Sequence, residues 1–212
     1  MAALVPEPEC RLCPRLVRYR RANAAAHPDW HNAPVASFGP QDARLLIVGL
    51  APGLRGANRT GRPFTGDFAG ELLYPTIAAF GFGSGPFAAR ADDGFRMIGA
   101  RVTNAVRCVP PENKPTTAEI NICNQFLKAE LAAMADLQAI LALGLVAHRA
   151  VLRALDLVAA RYPFAHGKIC ELPSGLLLAD SYHCSRYNTN TGRLTEQMFH
   201  GVFAELRQRL TS

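Results

Sequence analysis

The residues in this 212-residue chain best suited to chemistry are its cysteines and a few polar blocks rich in glycine, asparagine and histidine. Cys10 and Cys13 form a C-x2-C pair, and Cys108 and Cys123 form a second, wider pair. A C-x2-C knuckle can bring two thiolates to one ion or cluster. The later two can join it if the N-terminal segment packs against their corner. Spacing alone leaves zinc and a [4Fe–4S] cluster both open. A lone C-x2-C is as often a pair of small buried hydrophobes, but four thiols favour a metal. Cys170 and Cys184 have no nearby partner, and Cys170 reads as structural. The polar blocks follow apolar runs. Leu50 to Asp67 is a Gly-, Pro- and Arg-rich stretch that ends in its first carboxylate, Asp67. Asn104 closes a β-branched run just before Cys108. His183 sits with Ser185 and Asn188 in a polar block rather than on an apolar face.

The elements that must position these residues alternate along the chain. Arg44-Leu-Leu-Ile-Val-Gly49, Ala100 to Val106, Gln138 to Gly144 and Leu176 to Asp180 read as short buried strands. Helices are expected over Cys10 to Asn23, over Phe68 to Phe80 with Pro75 ending or kinking it, from Thr116 to Asp136, over Leu145 to Arg161 and over Asn190 to Leu210. Thr116-Thr-Ala-Glu119 has the form of a capping box. Residues 27–40, 81–94 and 110–115 read as loops or turns. Strands alternating with helices imply an α/β fold with a largely parallel sheet, whose ligand site lies beyond the carboxyl ends of the strands. That is where Leu50 to Asp67, Asn104 to Cys108 and Tyr182 to Arg193 fall.

Composition sets the limits. Apolar residues make up 49% and charged residues 19%, the mark of a globular chain and not a disordered one. A formal charge of +6 favours a polyanionic partner, weakly on its own. No apolar stretch reaches membrane-spanning length, and Met1 to Pro14 lacks the uninterrupted apolar core of a secretory signal. The expectation is an intracellular, reducing setting, in which cysteines are free or ligating.

Leu50-Ala-Pro-Gly-Leu-Arg-Gly-Ala-Asn-Arg-Thr-Gly-Arg-Pro-Phe-Thr-Gly-Asp67, preceded by Gly49, resembles the first motif of the family 5 (B-type) uracil-DNA glycosylases. Thr103-Asn-Ala-Val-Arg-Cys108-Val-Pro-Pro resembles the family's strand-end motif, and His183-x-Ser-x-x-Asn-x-x-Thr-Gly-Arg-Leu194 resembles its last. The four cysteines match the family's cluster ligands in placement. These blocks occur in order from Cys10 to Leu194, and their joint occurrence is specific. Where family members usually carry proline, this chain has Cys184, which bears on loop rigidity more than on catalysis.

The resemblance implies one domain over residues 1–212: an α/β/α sandwich on a four-stranded parallel sheet, with an N-terminal iron–sulfur segment. It implies a monomer, cytoplasmic and nucleoid-associated in a prokaryote, that hydrolyses the N-glycosidic bond of uracil in DNA, and often of hypoxanthine or other damaged bases. The [4Fe–4S] cluster would be held by Cys10, Cys13, Cys108 and Cys123. Gly49, Ala51, Pro52 and Gly53 would line the base pocket, with Phe64 stacking on the everted base and Asn104 reading its edge. His183 would stabilise the leaving anion and Asp67 would activate water, Ala51 having replaced the polar residue many relatives carry. Asp67 could equally be the N-cap of the helix at Phe68. Arg55, Arg59, Arg62, Ser185, Asn188, Asn190 and Arg193 would grip phosphates, aided by the last helix's N-terminus, and Arg186 and Tyr187 would wedge into the vacated stack. The rival reading is a zinc- or cluster-stapled nucleic-acid-binding protein without catalysis.

Overall fold

In a computed structural model describing residues 4–211, the chain folds into seven α-helices and seven β-strands. The expectation drawn on the chain's first residues lies partly outside that range. In chain order the elements are α1 (Pro14–Ala26), β1 (Leu45–Gly49), α2 (Ala57–Thr60), α3 (Phe68–Ala79), β2 (Gly83–Ser84), β3 (Arg96–Met97), β4 (Ala100–Asn104), α4 (Thr117–Ala133), β5 (Ala139–Leu143), α5 (Leu145–Ala154), β6 (Ile169–Glu171), β7 (Leu177–Ser181), α6 (Arg186–Asn190) and α7 (Glu196–Thr211).

The main sheet has the order β4-β1-β5-β7-β6, with β6 antiparallel and the rest parallel. Alternation along each central strand divides the core. Leu45, Ile47, Ala139 and Leu141 face one layer with Leu73, Ile77, Phe199 and Phe203 of α3 and α7. Leu46, Val48, Ile140 and Ala142 face the other, with Leu127, Ala147 and Val151 of α4 and α5. This is the expected α/β/α sandwich. The sheet has five strands where the resemblance implied four. The added strand, β6, is three residues long, too short to show a period, and a Pro173–Gly175 turn folds it back on β7. The β2–β3 hairpin, whose first strand lies inside the span 81–94 read as loop and whose second lies just beyond it, has strands of two residues, too short to show a period.

Local signals mostly hold. Thr116 and Glu119 form the reciprocal capping box. Pro75 neither ends nor divides α3: it is exposed, as is Glu71 one turn earlier, so the hydrogen bond it cannot make lies on the solvent side. The helix after β5 stops at Ala154 rather than Arg161, and the last helix begins at Glu196 because the short α6 precedes it.

A third, smaller cluster joins the N-terminal segment to the corner beyond β4. Leu16, Val106, Phe126, Cys108 and Cys123 are buried there, with Cys10, Cys13 and Ala51 packed against them.

Candidate active site

The parallel strands run in chain order 2-1-3-4 across the sheet, so the connections diverge around β1 and open a crevice at the carboxyl ends. A cup of about 700 Å³ fills it. Its walls come from the loop after β1 (Leu50 to Gly56), from Phe64, Asp67, Phe68 and Ala69, from Asn104 and Asn113, and from His183 with Ser185, Arg186 and Tyr187. The loops after three different strands thus meet in one place.

Gly49 is where the cup's floor is set. It pairs in register with Asn104. A Cβ there would lie 2.3 Å from Phe64 Cζ and 2.5 Å from Asn104 Oδ1, so only glycine lets the ring and the amide close over the strand end. Phe64 itself holds φ +52°, uncommon for a bulky side chain. Its carbonyl oxygen lies 1.8 Å from where a Cβ on Gly70 would be. The Phe64 and His183 rings stand 5.9 Å apart at 30°. Asn104 is buried, and its Oδ1 has no hydrogen-bond partner. A buried acceptor without a donor is costly unless something arrives to satisfy it.

Asp67 is the cap of a helix and also a residue of the cup wall. It is the N-cap of α3, its Oδ1 accepting from Gly70 N at 3.4 Å. Its Oδ2 faces the loop after β1: a Cβ on Gly56 would come within 2.3 Å of it, and one on Gly53 within 2.9 Å. Burial raises the Asp67 pKa above that of a free aspartate, offset in part by the capping hydrogen bonds. Burial has the opposite effect on His183, lowering its pKa to about 4, so the imidazole is neutral at pH 7. The His183 carbonyl accepts from Asn188 Nδ2 at 2.8 Å, which fixes the backbone at that point.

Of the other residues singled out in the sequence, Ala51, Pro52, Gly53, Arg55, Ser185, Arg186 and Tyr187 line the cup. Arg55 and Tyr187 are exposed, and Arg186 places its guanidinium over the Phe68 ring at 5.1 Å. Arg59 and Asn190 are exposed but lie off the cup, and Arg193 stacks over Tyr182 at 4.7 Å. Two expectations need correction. Arg62 is 4% exposed and forms a bidentate pair with Asp93, 2.8 and 2.7 Å, while donating to Thr65 Oγ1 at 2.7 Å. It lies 5.1–5.7 Å from the centres of the Phe38, Tyr74 and Phe87 rings, so no phosphate reaches it. Asn188 braces the loop by donating Nδ2 to the His183 carbonyl, a bond that uses one of its two amide N–H groups. The last helix cannot lend its N-terminus to the polar block, since α6 intervenes and Glu196 opens α7 with a negative charge. Asn113, Leu54 and Phe68 line the cup unforeseen. The proline-rich setting of Asn113 was legible only as a turn.

At the opposite wall of Ala51, Cys10, Cys13, Cys108 and Cys123 line a single apolar gap. Burial and mutual repulsion raise Cys13 to about 11, and burial raises Cys108 to about 12; Cys123 is raised too. Arg107 N donates to Cys123 Sγ at 3.3 Å, and the charge of Arg20 acts in the opposite, lowering direction on Cys13 and Cys108. Among the described residues, no three His, Cys, Asp or Glu side chains converge closely enough for one ion. Four thiols around one gap, with an amide and a cation turned toward them, nevertheless fit an all-sulfur cluster by the chemistry of the donor set. Cys184 is fully buried with its thiol raised to about 12, an inert core residue of the His183 loop.

The family model of the uracil DNA glycosylase superfamily matches residues 36–207. A protein of Thermus thermophilus called "Type-5 uracil-DNA glycosylase" is 45% identical over 204 residues, 94% of this chain and 93% of that protein. One of the same name from Mycobacterium leprae is 42% identical over 208 residues, 94% of this chain and 90% of that protein. A "Type-4 uracil-DNA glycosylase" of Archaeoglobus fulgidus is 31% identical over 139 residues, 65% of this chain and 62% of that protein.

Proposed function

Because the chain belongs to the uracil DNA glycosylase superfamily, we propose that it hydrolyses the N-glycosidic bond of uracil in DNA, leaving an abasic site, and that the same cup accepts hypoxanthine and other deaminated bases. The observation that carries this reading is the unpaired, buried Oδ1 of Asn104, in a residue that lines with Phe64 and His183 one cup open to solvent. A uracil everted from the duplex would stack on Phe64. Its imide N–H would satisfy Asn104 Oδ1, and the amide N–H of Asn104 would meet a ring carbonyl. A volume of about 700 Å³ leaves room for a purine as well.

Cleavage then needs little more than two side chains. As the bond from N1 to C1′ breaks, its electrons move to the base and spread over N1 and the carbonyl oxygens. A neutral His183, donating one N–H to the O2 of the departing base, stabilises that charge without being an acid strong enough to be consumed. Water attacks C1′, and its proton passes to Asp67, whose carboxylate lies at the cup wall and whose raised pKa makes it a better base than a free aspartate. The test is incubation with a uracil-containing oligonucleotide, followed by alkaline cleavage; no strand scission at uracil would end this reading.

A pH dependence follows. His183 is already neutral above about pH 4, so it contributes no loss of rate between pH 5 and 8. Asp67 must be ionised to act, and its pKa lies above the ordinary 3.8. The single-turnover rate should therefore fall on acidification through a pKa above 3.8, and Asp67→Asn should abolish that limb along with most of the activity. An acid limb unchanged in Asp67→Asn would assign it to another group.

We read Cys10, Cys13, Cys108 and Cys123 as holding a [4Fe–4S] cluster that pins α1 to the corner beyond β4, with zinc as the less favoured occupant. When bound, the cluster supplies positive charge to four thiolates that burial otherwise disfavours. Purified protein should show a broad visible absorption band that is lost in Cys108→Ala; a colourless protein with stoichiometric zinc would overturn the assignment. The chain works, on this reading, as a monomeric single domain over residues 1–212 in the cytoplasm, close to the nucleoid. The support is a cup completed by one chain and six cysteines none of which is joined in a disulfide.

A further inference from the structure

The turn between β4 and α4 carries the one cup-lining residue of its segment, Asn113, and it is built in an unusual way. Glu112 and Asn113 both take left-handed backbone conformations, at φ 55° and 57°. Asparagine tolerates that region, whereas glutamate adopts it only where the surroundings impose it. Asn113 N donates to Pro110 O at 3.2 Å and Lys114 N to Pro111 O at 3.0 Å, closing the turn. Its other support comes from the cysteine-bearing segment. Arg15, two residues after Cys13, grips Glu119 with Nε and Nη2 at 2.8 and 2.7 Å, and Nη2 also donates to Lys114 O at 2.9 Å. Glu119 completes the arrangement by accepting from Thr116 N at 2.8 Å. The turn is thus suspended between the head of α4 and the start of α1.

Asn113 stands exposed at the cup's edge, with no hydrogen bond to its side chain among the described residues. A nucleotide entering the cup must carry its backbone across that edge. A neutral amide donor there suits a phosphate or sugar oxygen, the contacts that set register on DNA without reading sequence.

We propose that Asn113 is a DNA-contacting residue beside the everted nucleotide, and that Arg15 is the positioning residue that holds it there, so that the N-terminal segment helps shape the mouth of the base pocket. This rests on the glycosylase reading and adds to it a contact and a reason for the segment's attachment at that corner.

The experiment measures binding to a duplex carrying an abasic-site analogue and, separately, the single-turnover rate on a saturating uracil duplex. Asn113→Ala should bind about tenfold more weakly, the loss of one hydrogen bond, and this loss in binding should exceed any change in the saturated rate. Asn113→Gly, which keeps the left-handed turn relaxed, should bind as weakly as the alanine variant. Asn113→Asp should bind more weakly still, and its ratio to the alanine variant should narrow as salt rises, because the added repulsion is screened. Arg15→Gln should weaken binding in the same direction and add nothing to Asn113→Ala. Wild-type affinity in Asn113→Ala or Asn113→Gly, or an Asn113→Asp no worse than alanine, would overturn the contact. Additive effects of Arg15→Gln and Asn113→Ala would overturn the strut. Uracil release by the wild-type protein is the control: its absence would sink the glycosylase reading instead.

Discussion

Replacing His183 by alanine should lower the single-turnover rate of uracil release by about 10²–10³-fold while leaving binding to an abasic-site duplex little changed. The magnitude is that of a single preorganised donor removed from the point where negative charge collects. Preorganisation here has visible causes. The His183 backbone is held by Asn188 Nδ2 at 2.8 Å, and Cys184 beside it is fully buried. The imidazole packs toward Phe64, and burial keeps it neutral. A neutral donor costs no reorganisation as the anion forms. An imidazolium would instead have had to be buried as a charge before the reaction began. His183→Gln, which retains an N–H donor, should recover part of the loss. A rate unchanged in His183→Ala would move leaving-group stabilisation to another residue, and Asn104 would be the next to test.

The second large effect falls on stability, at a position the sequence suggested for DNA contact. Arg62→Met should destabilise the fold by about 3–5 kcal/mol, because it strands Asp93 as a buried, unpaired carboxylate; the two side chains are 4% and 1% exposed. Asp93 also accepts from Ala88 N and Phe95 N, so the change loosens the segment from β2 to β3. Arg62 further donates to Thr65, next to Phe64, so the ring that forms the cup's floor should lose its register and excision should fall with it. The Arg62 guanidinium holds Asp93 far below the ordinary carboxylate range. A depressed aspartate stabilises the fold fully above its ordinary value of about 3.8 and loses that contribution as pH falls toward the lowered one. Wild-type denaturant midpoints should therefore drop on acidification below pH 4, and Asp93→Asn should flatten that dependence at a lower overall stability. Equal midpoints for wild type and Arg62→Met would show that the pair is not what holds this loop.

The placement of Asp67 at both a helix cap and the cup wall explains why the chain alone left two roles open for it. An N-cap needs one carboxylate oxygen, and Gly70 takes Oδ1. The second oxygen is left over the glycines of the loop after β1, where any side chain at residue 56 would collide with it. Capping orients the carboxylate, and the glycines admit it to the cup.

Much of this protein was determined by local sequence. The apolar runs ending at Gly49 and Gly144 fix buried strands, because four or five consecutive apolar residues have few other places to go, and β-branched Val102 and Thr103 mark the strand that ends at Asn104. The Thr116–Glu119 box fixes where α4 begins, since both of its hydrogen bonds close within four residues. The rule that ligands gather at strand ends then brought Phe64, Asn104 and His183 into view. Tertiary structure alone decided the fates of polar and charged residues, whose partners lie far along the chain. Arg62 finds Asp93 31 residues away and becomes core. Arg15 finds Glu119 104 residues away and braces a turn. Asn113 enters the cup only because that turn is folded over it. Apolar burial is a property a residue brings with it. The work a charge or an amide does depends on what the fold places opposite it, and periodicity carries no record of that.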